Sequence, residues 1–187
     1  MSRFTVSPTK LSGLVCIERK LLGDARGFLS RLFCPEAMRE AGWQDKPVAQ
    51  INHTWTAKKG TVRGLHFQYP PYAETKLVSC IRGTVWDVAV DLRKDSPSYL
   101  QWHAEELSEN NHRALLIPEG FAHGFQTLSD DVQMIYVHSA PYSQTQEGGL
   151  SPNDVMLAIP WPLPISEISE RDRMHPPLSS KFEGVTL

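Results

Sequence analysis

Cysteine is scarce in this chain and has no pairing pattern. Cys16, Cys34 and Cys80 are the only three among 187 residues. An odd count without paired spacing argues against a disulfide framework and for buried free thiols in a reducing compartment. Basic runs are missing too. Nineteen Lys and Arg against 21 Asp and Glu leave a net charge of −2, with no cationic face for a nucleic acid. Any phosphate must therefore be met by individually placed residues. No apolar window approaches a membrane span, and the opening Met1-Ser2-Arg3-Phe4-Thr5 lacks the apolar core of a signal peptide. The expected location is the cytoplasm, with neither membrane nor nucleic acid as partner. Internal repeats and low-complexity linkers are absent, so residues 1–187 read as one domain with enough chain to close a substantial core.

What the chain has instead is a succession of short extended segments. Phe28 to Cys34 reads as a strand after the turn Gly23-Asp24-Ala25-Arg26-Gly27. Pro35 to Gly42 reads as a short helix, opened by Pro and closed by Gly. Strand signals then recur over Val48 to Thr56, Val62 to Gln68, Thr75 to Ile81, Val85 to Leu92, Gln101 to Leu107, Arg113 to Ile117, Phe121 to Leu128 and Val132 to His138. Turn chemistry separates them, as at Lys59-Gly60, Arg82-Gly83, Asp95-Ser96-Pro97 and Pro118-Glu119-Gly120. This spacing predicts an all-β antiparallel barrel or sandwich rather than a parallel sheet with crossover helices. Alternation along Val85 to Asp91 puts Val85, Asp87, Ala89 and Asp91 on a face suited to a polar cavity. Trp86, Val88 and Val90 fall on a bulky apolar face. After Pro141 the chain is rich in Pro, Ser and Glu, and predicts an irregular tail with one helical turn laid over the barrel.

The chemistry concentrates in Arg63-Gly64-Leu65-His66-Phe67-Gln68 and in Lys76, ten residues beyond His66. Strict alternation would put Val62, Gly64 and His66 on one face, and Arg63, Leu65 and Phe67 on the other. An imidazole facing an ammonium suits proton abstraction beside a carbonyl, the imidazole taking the proton and the cation steadying the oxyanion. The same pair is also compatible with hydrogen-bonded core residues, and this stretch by itself leaves both readings open.

Further segments add to it: Pro118-Glu119-Gly120-Phe121-Ala122-His123-Gly124-Phe125, Tyr136 and Tyr142 in Tyr-Val-His-Ser-Ala-Pro-Tyr, and Ser169-Glu170-Arg171-Asp172. With Asp24-Ala25-Arg26-Gly27, Gln50-Ile51-Asn52 and Asp87-Val88-Ala89-Val90-Asp91-Leu92-Arg93, they occur in an order that resembles the dTDP-4-dehydrorhamnose 3,5-epimerase family, from about Leu14 to Asp172. The resemblance implies a cupin-type jelly-roll barrel, a homodimer, a nucleotide-sugar substrate and a site with neither cofactor nor metal. The His-x-His pair of metal-binding cupins is indeed missing, since Phe67-Gln68 follows His66. By the same resemblance His66 is the base, Asp172 its partner, Lys76 the enolate stabiliser and Tyr136 the acid. Arg26, Gln50, Asn52, Arg63, His123, Tyr142, Glu147 and Arg171 match substrate-binding positions, and Asp87 is left without a role. Arg31 and Arg171 depart from the usual Glu and Lys of this family, the first putting the nucleotide or sugar in question. His53, His103, His112, His138 and His175 read as surface or interface residues, and Trp55, Trp86, Trp102 and Trp161 as packing. The rival readings are an enzyme that epimerises one carbon or moves the ketone, a non-catalytic nucleotide-sugar-binding cupin, and a metal-dependent cupin oxygenase.

Overall fold

Alternation along the central strands decides the architecture, because each strand has one face toward a shared interior and one toward a covering layer. The computed structural model describes residues 3–179 and 181–187; Met1 and Ser2, part of the stretch read for a signal peptide, and Ser180 lie outside them. Among the described residues the strands are β1 (Phe4–Pro8), β2 (Val15–Arg19), β3 (Leu21–Asp24), β4 (Gly27–Ser30), β5 (Gln50–Thr56), β6 (Thr61–Gln68), β7 (Lys76–Arg82), β8 (Thr84–Asp91), β9 (Trp102–Ser108), β10 (Arg113–Ile117), β11 (Phe121–Thr127), β12 (Val132–His138), β13 (Glu147–Gly149) and β14 (Glu167–Ile168). Two short helices, α1 (Pro35–Met38) and α2 (Glu170–Arg173), complete the set. One sheet runs β1-β2-β10-β7-β12-β5 and the other β13-β6-β11-β8-β9; β14 adds to β6 in parallel, and β3 and β4 form a separate hairpin. This is the antiparallel cupin-type barrel expected.

Residues between the sheets form the inner core, with Val78, Cys80, Val85, Ala89, Leu115, Phe125 and Met134 packed together. The outer faces are covered as well. Pro35 opens α1, and the chain continues as a wide π turn to Trp43, with Gly42 at φ 121°. Met38, Ala41 and Trp43 from this segment seal Leu77, Leu116 and Val137 of the first sheet. On the second sheet Leu65, Phe67, Val88 and Val90 are capped by Leu150, Leu157 and Ile159 of the tail, beside Trp86, Trp102 and Trp161. Burying apolar area at roughly 25 cal/mol per Å² makes such covering layers a main source of stability. The predicted sorting of β8 into two faces holds, with Val85 and Ala89 inward and Trp86, Val88 and Val90 outward. The inward face, however, fills the apolar core rather than lining a polar cavity, and Asp91 is taken up by Arg93, Ser96 and Ser98. Trp86 makes two aromatic edge contacts, with Trp102 at 5.9 Å and with Trp161 at 5.5 Å, so these three tryptophans pack as expected.

Candidate active site

The two sheets part at one end of the barrel around a cavity of about 860 Å³. One wall presents Gln50 and Asn52 from β5, Tyr136 and His138 from β12, and Lys76 from β7. The facing wall presents Arg63 and His66 from β6 and His123 from β11. The tail contributes Glu147, Arg171 and Asp172.

Strict alternation would have separated Arg63 from His66, and the structure corrects that reading. In the β6–β11 pair, His66 lies opposite His123 and Arg63 opposite Phe125, so β6 carries one residue more than its partner between these points. The bulge re-aims the strand. Arg63 and His66 consequently reach the same cavity, while Leu65 stays in the outer layer.

His66 is held by a partner 106 residues further along the chain. Its Nε2 lies 2.7 Å from Asp172 Oδ1, and the Gly64 N–H donates to Asp172 Oδ2 at 3.1 Å. Ser169 caps α2, its Oγ accepting from the Asp172 N–H at 3.1 Å, which fixes the helical turn that carries the carboxylate. Burial pushes the Asp172 carboxyl up, but the hydrogen bond and charge of His66, the Gly64 amide and Arg171 outweigh it and hold it at about 2. A carboxylate there takes Nε2–H from the neutral ring and leaves Nδ1 with the free lone pair. His175 stands edge-on to His66, ring centroids 6.1 Å apart. His66, Asp172 and His175 bring three potential metal donors within 4.8 Å of one another. Arg171 already faces this group, Nη2 at 3.1 Å from His66 Nε2 and Nε at 3.5 Å from Asp172 Oδ1. A fixed guanidinium in that place suits a polarised His–Asp dyad better than a second cation.

On the opposite wall Tyr136 is buried. Burial, and after it the charge of Asp87, push its phenol well above the usual tyrosine range. The group stays protonated at neutral pH, the form that a proton donor requires. Its ring stands edge-on to His123 at 6.0 Å and parallel to His138 at 6.0 Å. His123 Nε2 lies 3.0 and 2.9 Å from the two Asp87 oxygens. Burial pushes the Asp87 carboxyl up, and His123 and Lys76 offset only part of that. Lys76 Nζ is 3.0 Å from Glu74 Oε1, and Glu74 Oε2 is 2.8 Å from His138 Nδ1. Burial raises the Glu74 carboxyl, but Lys76 and His138 together bring it down to about 2.

At the mouth, the Tyr142 N–H donates to Gln50 Oε1 at 2.8 Å and the Tyr142 hydroxyl donates to Glu147 Oε2 at 3.0 Å. Arg171 Nη1 reaches the Glu147 oxygens at 3.1 and 3.2 Å. Arg63 Nε donates to Thr56 Oγ1 at 3.0 Å. Arg26 is not brought to this cavity: it stands in solvent on the β3–β4 hairpin, paired with Asp24. Arg31 is exposed as well.

Of the histidines read as surface or interface residues, His138 is not on the surface. His138 is buried in the cavity wall, and His175 is half-buried against His66. Glu74 escaped the sequence reading altogether. A signal existed for both cavity groups, since Glu74 lies two residues before Lys76 and His138 two after Tyr136. Residues so spaced in extended chain share a face.

Comparison with known proteins agrees with this arrangement. The family model described as dTDP-4-dehydrorhamnose 3,5-epimerase matches residues 8–180. A dTDP-4-dehydrorhamnose 3,5-epimerase of Shigella flexneri is 42% identical over 167 residues, 89% of this chain and 92% of that protein. The crystal structure of the 3,5-epimerase of Bacillus anthracis with TDP and PPi bound superposes with a TM-score of 0.89 at 41% identity, covering 94% of this chain and 99% of the other. The dTDP-6-deoxy-D-glucose-3,5-epimerase of Legionella pneumophila, in complex with dTDP-4-keto-L-rhamnose, gives a TM-score of 0.91 at 34% identity, covering 98% of each chain. With its barrel intact and the match running from the end of β1 to the tail, this chain belongs to the dTDP-4-dehydrorhamnose 3,5-epimerase family.

Proposed function

We propose that the protein inverts C3 and C5 of a dTDP-4-keto-6-deoxyhexose, making the 4-keto precursor of L-rhamnose. The observation that carries this reading is the placing of an acid and a base on facing walls of one cavity: His66 with its Asp172 carboxylate on one, the protonated Tyr136 phenol on the other. His66 Nδ1 removes the proton from the carbon beside the C4 ketone. The electron pair moves into an enolate whose oxygen draws on the Lys76 ammonium. Tyr136 then returns a proton to the opposite face, and that change of face is what inverts the centre. C3 and C5 both flank the ketone, so the same groups act twice once the sugar re-seats and solvent has taken the proton from His66 and restored one to Tyr136. The ketone already present is the electron sink, and the chemistry calls for neither cofactor nor metal.

Arg63 and Arg171 offer paired donors to the diphosphate. Gln50, Asn52, His123, Tyr142 and Glu147 contact the sugar or base. Arg26 stands on an exposed hairpin with Leu22, Phe28 and Leu29 also exposed. In a homodimer, Arg26 of the partner subunit would complete the nucleotide site. The protein works as one barrel domain in the cytoplasm; no helix among the described residues is long and apolar enough to cross a membrane.

The test is conversion of dTDP-4-keto-6-deoxyglucose in deuterated water followed by NMR. Deuterium at both C3 and C5 of an inverted product is the expected result. Deuterium at a single carbon would reduce the activity to a one-centre epimerisation, and none at all would remove the enolate.

A further inference from the structure

Glu74 and His138 have no part in the reaction just described, yet they are built against it. Glu74 lies just before β7 and His138 ends β12, where the register sets His138 directly opposite Lys76. The Glu74 carboxylate divides its oxygens, Oε1 at 3.0 Å from Lys76 Nζ and Oε2 at 2.8 Å from His138 Nδ1. His138 Nε2 faces Asn52 Nδ2 at 3.4 Å. The neutral ring therefore carries its proton on Nδ1, donating to Glu74 and accepting from Asn52. All three side chains of the Lys76–Glu74–His138 chain are buried, at 6%, 9% and 10% exposure. The His138 ring also lies parallel to that of Tyr136, within 16°.

A carboxylate touching an ammonium weakens its hold on any third charge, and burial enlarges the effect. With Lys76 as its only partner, Glu74 would concentrate its charge on the group assigned to the enolate. The N–H of His138 takes up one carboxylate oxygen and limits that pull. We propose that His138 is a positioning residue that acts through Glu74, leaving the Lys76 ammonium directed into the cavity toward the developing oxyanion. This rests on the role given to Lys76 above.

The experiment compares full-length H138A, H138N and E74Q/H138A with the wild type on dTDP-4-keto-6-deoxyglucose. The readouts are kcat, KM and deuterium uptake from solvent. For H138A, kcat is expected to fall about tenfold, as when an electrostatic contact to a transition state is weakened. KM should stay within about twofold, the signature of an interaction made in the transition state. Uptake at C3 and C5 should slow by the same factor, because both steps share one oxyanion. Asn keeps an N–H near the place of Nδ1, so H138N recovers most of the loss. E74Q/H138A removes the unpartnered charge, and is expected to run about fivefold faster than H138A, a non-additivity that marks coupled groups. A merely structural role would leave the double variant as slow as H138A or slower. That outcome, or wild-type kcat in H138A, overturns the proposal. Should H138A not fold, H138L against H138N gives the same contrast of donor lost and donor kept. Lys76→Met separates the two layers. If it exchanges at the wild-type rate, the enolate role of Lys76 fails; if it is slow while H138A is not, only the inference about His138 fails.

Discussion

In the proposed reaction Tyr136 and His66 have separable duties, and single substitutions can tell them apart. Without the imidazole no proton leaves, so His66→Ala should lose both deuterium exchange and inversion, by about 10²–10⁴-fold for a general base. Without the phenol the base still works but the opposite face has no donor. Tyr136→Phe should retain exchange with unchanged configuration while inversion falls by a similar factor, read from the product's NMR coupling pattern. Equal loss of exchange in both variants would count against the division of labour. A second residue-scale prediction concerns acid. Glu74 is held at about 2, below its ordinary 4.5. A depressed carboxyl contributes stability that is present above its unfolded value and lost as protonation proceeds. Wild-type stability should therefore decline as pH falls from about 4.5 toward 2, and Glu74→Gln should show a flatter decline. Denaturant midpoints at pH 5 and pH 3 supply the comparison. Most of these chemical groups were legible as residues: His66, Lys76, Tyr136 and Asp172 stand in recognisable runs. His138 was missed as a cavity group, although its place two residues after Tyr136 in β12 sets it on the same face; only its burial waited on the cross-strand neighbour.

At the scale of elements, the bulge in β6 and the capped turn α2 are what bring the dyad together. Gly64 sits in the bulge at φ +116°, where a Cβ would stand 2.6 Å from Gly124 Cα and 2.7 Å from His123 O. Backbone in that region costs a non-glycine residue about 1–3 kcal/mol, and here the obstruction is backbone that cannot swing aside. Gly64→Ala should lower the melting temperature and displace His66 from Asp172, visible as lost activity in whatever fraction folds. Ser169→Ala should be milder. Losing the cap costs about 1 kcal/mol locally, and kcat should drop with little change in global stability; an unchanged kcat would show that Asp172 is held by its other bonds alone. The central strands were readable because β8, β10 and β12 alternate cleanly between inner and outer layers. The strands β1, β2, β13 and β14 were not: all are short, β1 and β13 stand at sheet edges, and β2 and β14 take their partners from distant chain rather than local pattern. The bulge was equally hidden, since alternation is the assumption it breaks.

The whole molecule leaves apolar surface uncovered on two features that share no cavity wall within one chain. Leu22, Phe28 and Leu29 stand out on the β3–β4 hairpin, and Ile51 and Trp55 on the open edge strand β5. Exposed apolar side chains on an unpaired sheet edge favour association. Sedimentation should give twice the chain mass, and Phe28→Asp with Leu29→Asp should shift it toward monomer with weakened nucleotide binding. A wild-type monomer at micromolar concentration would refute the homodimer.

One arrangement reaches beyond catalysis. His66 lies in the barrel strand β6, whereas the carboxylate that orients it comes from a tail that pairs with β6 through β13 and β14 and caps the second sheet with Leu150, Leu157 and Ile159. The tail is thus tutor to the barrel: a nicked protein with that segment detached would keep the imidazole but forfeit its orienting carboxylate, together with Glu147 and Arg171 at the mouth.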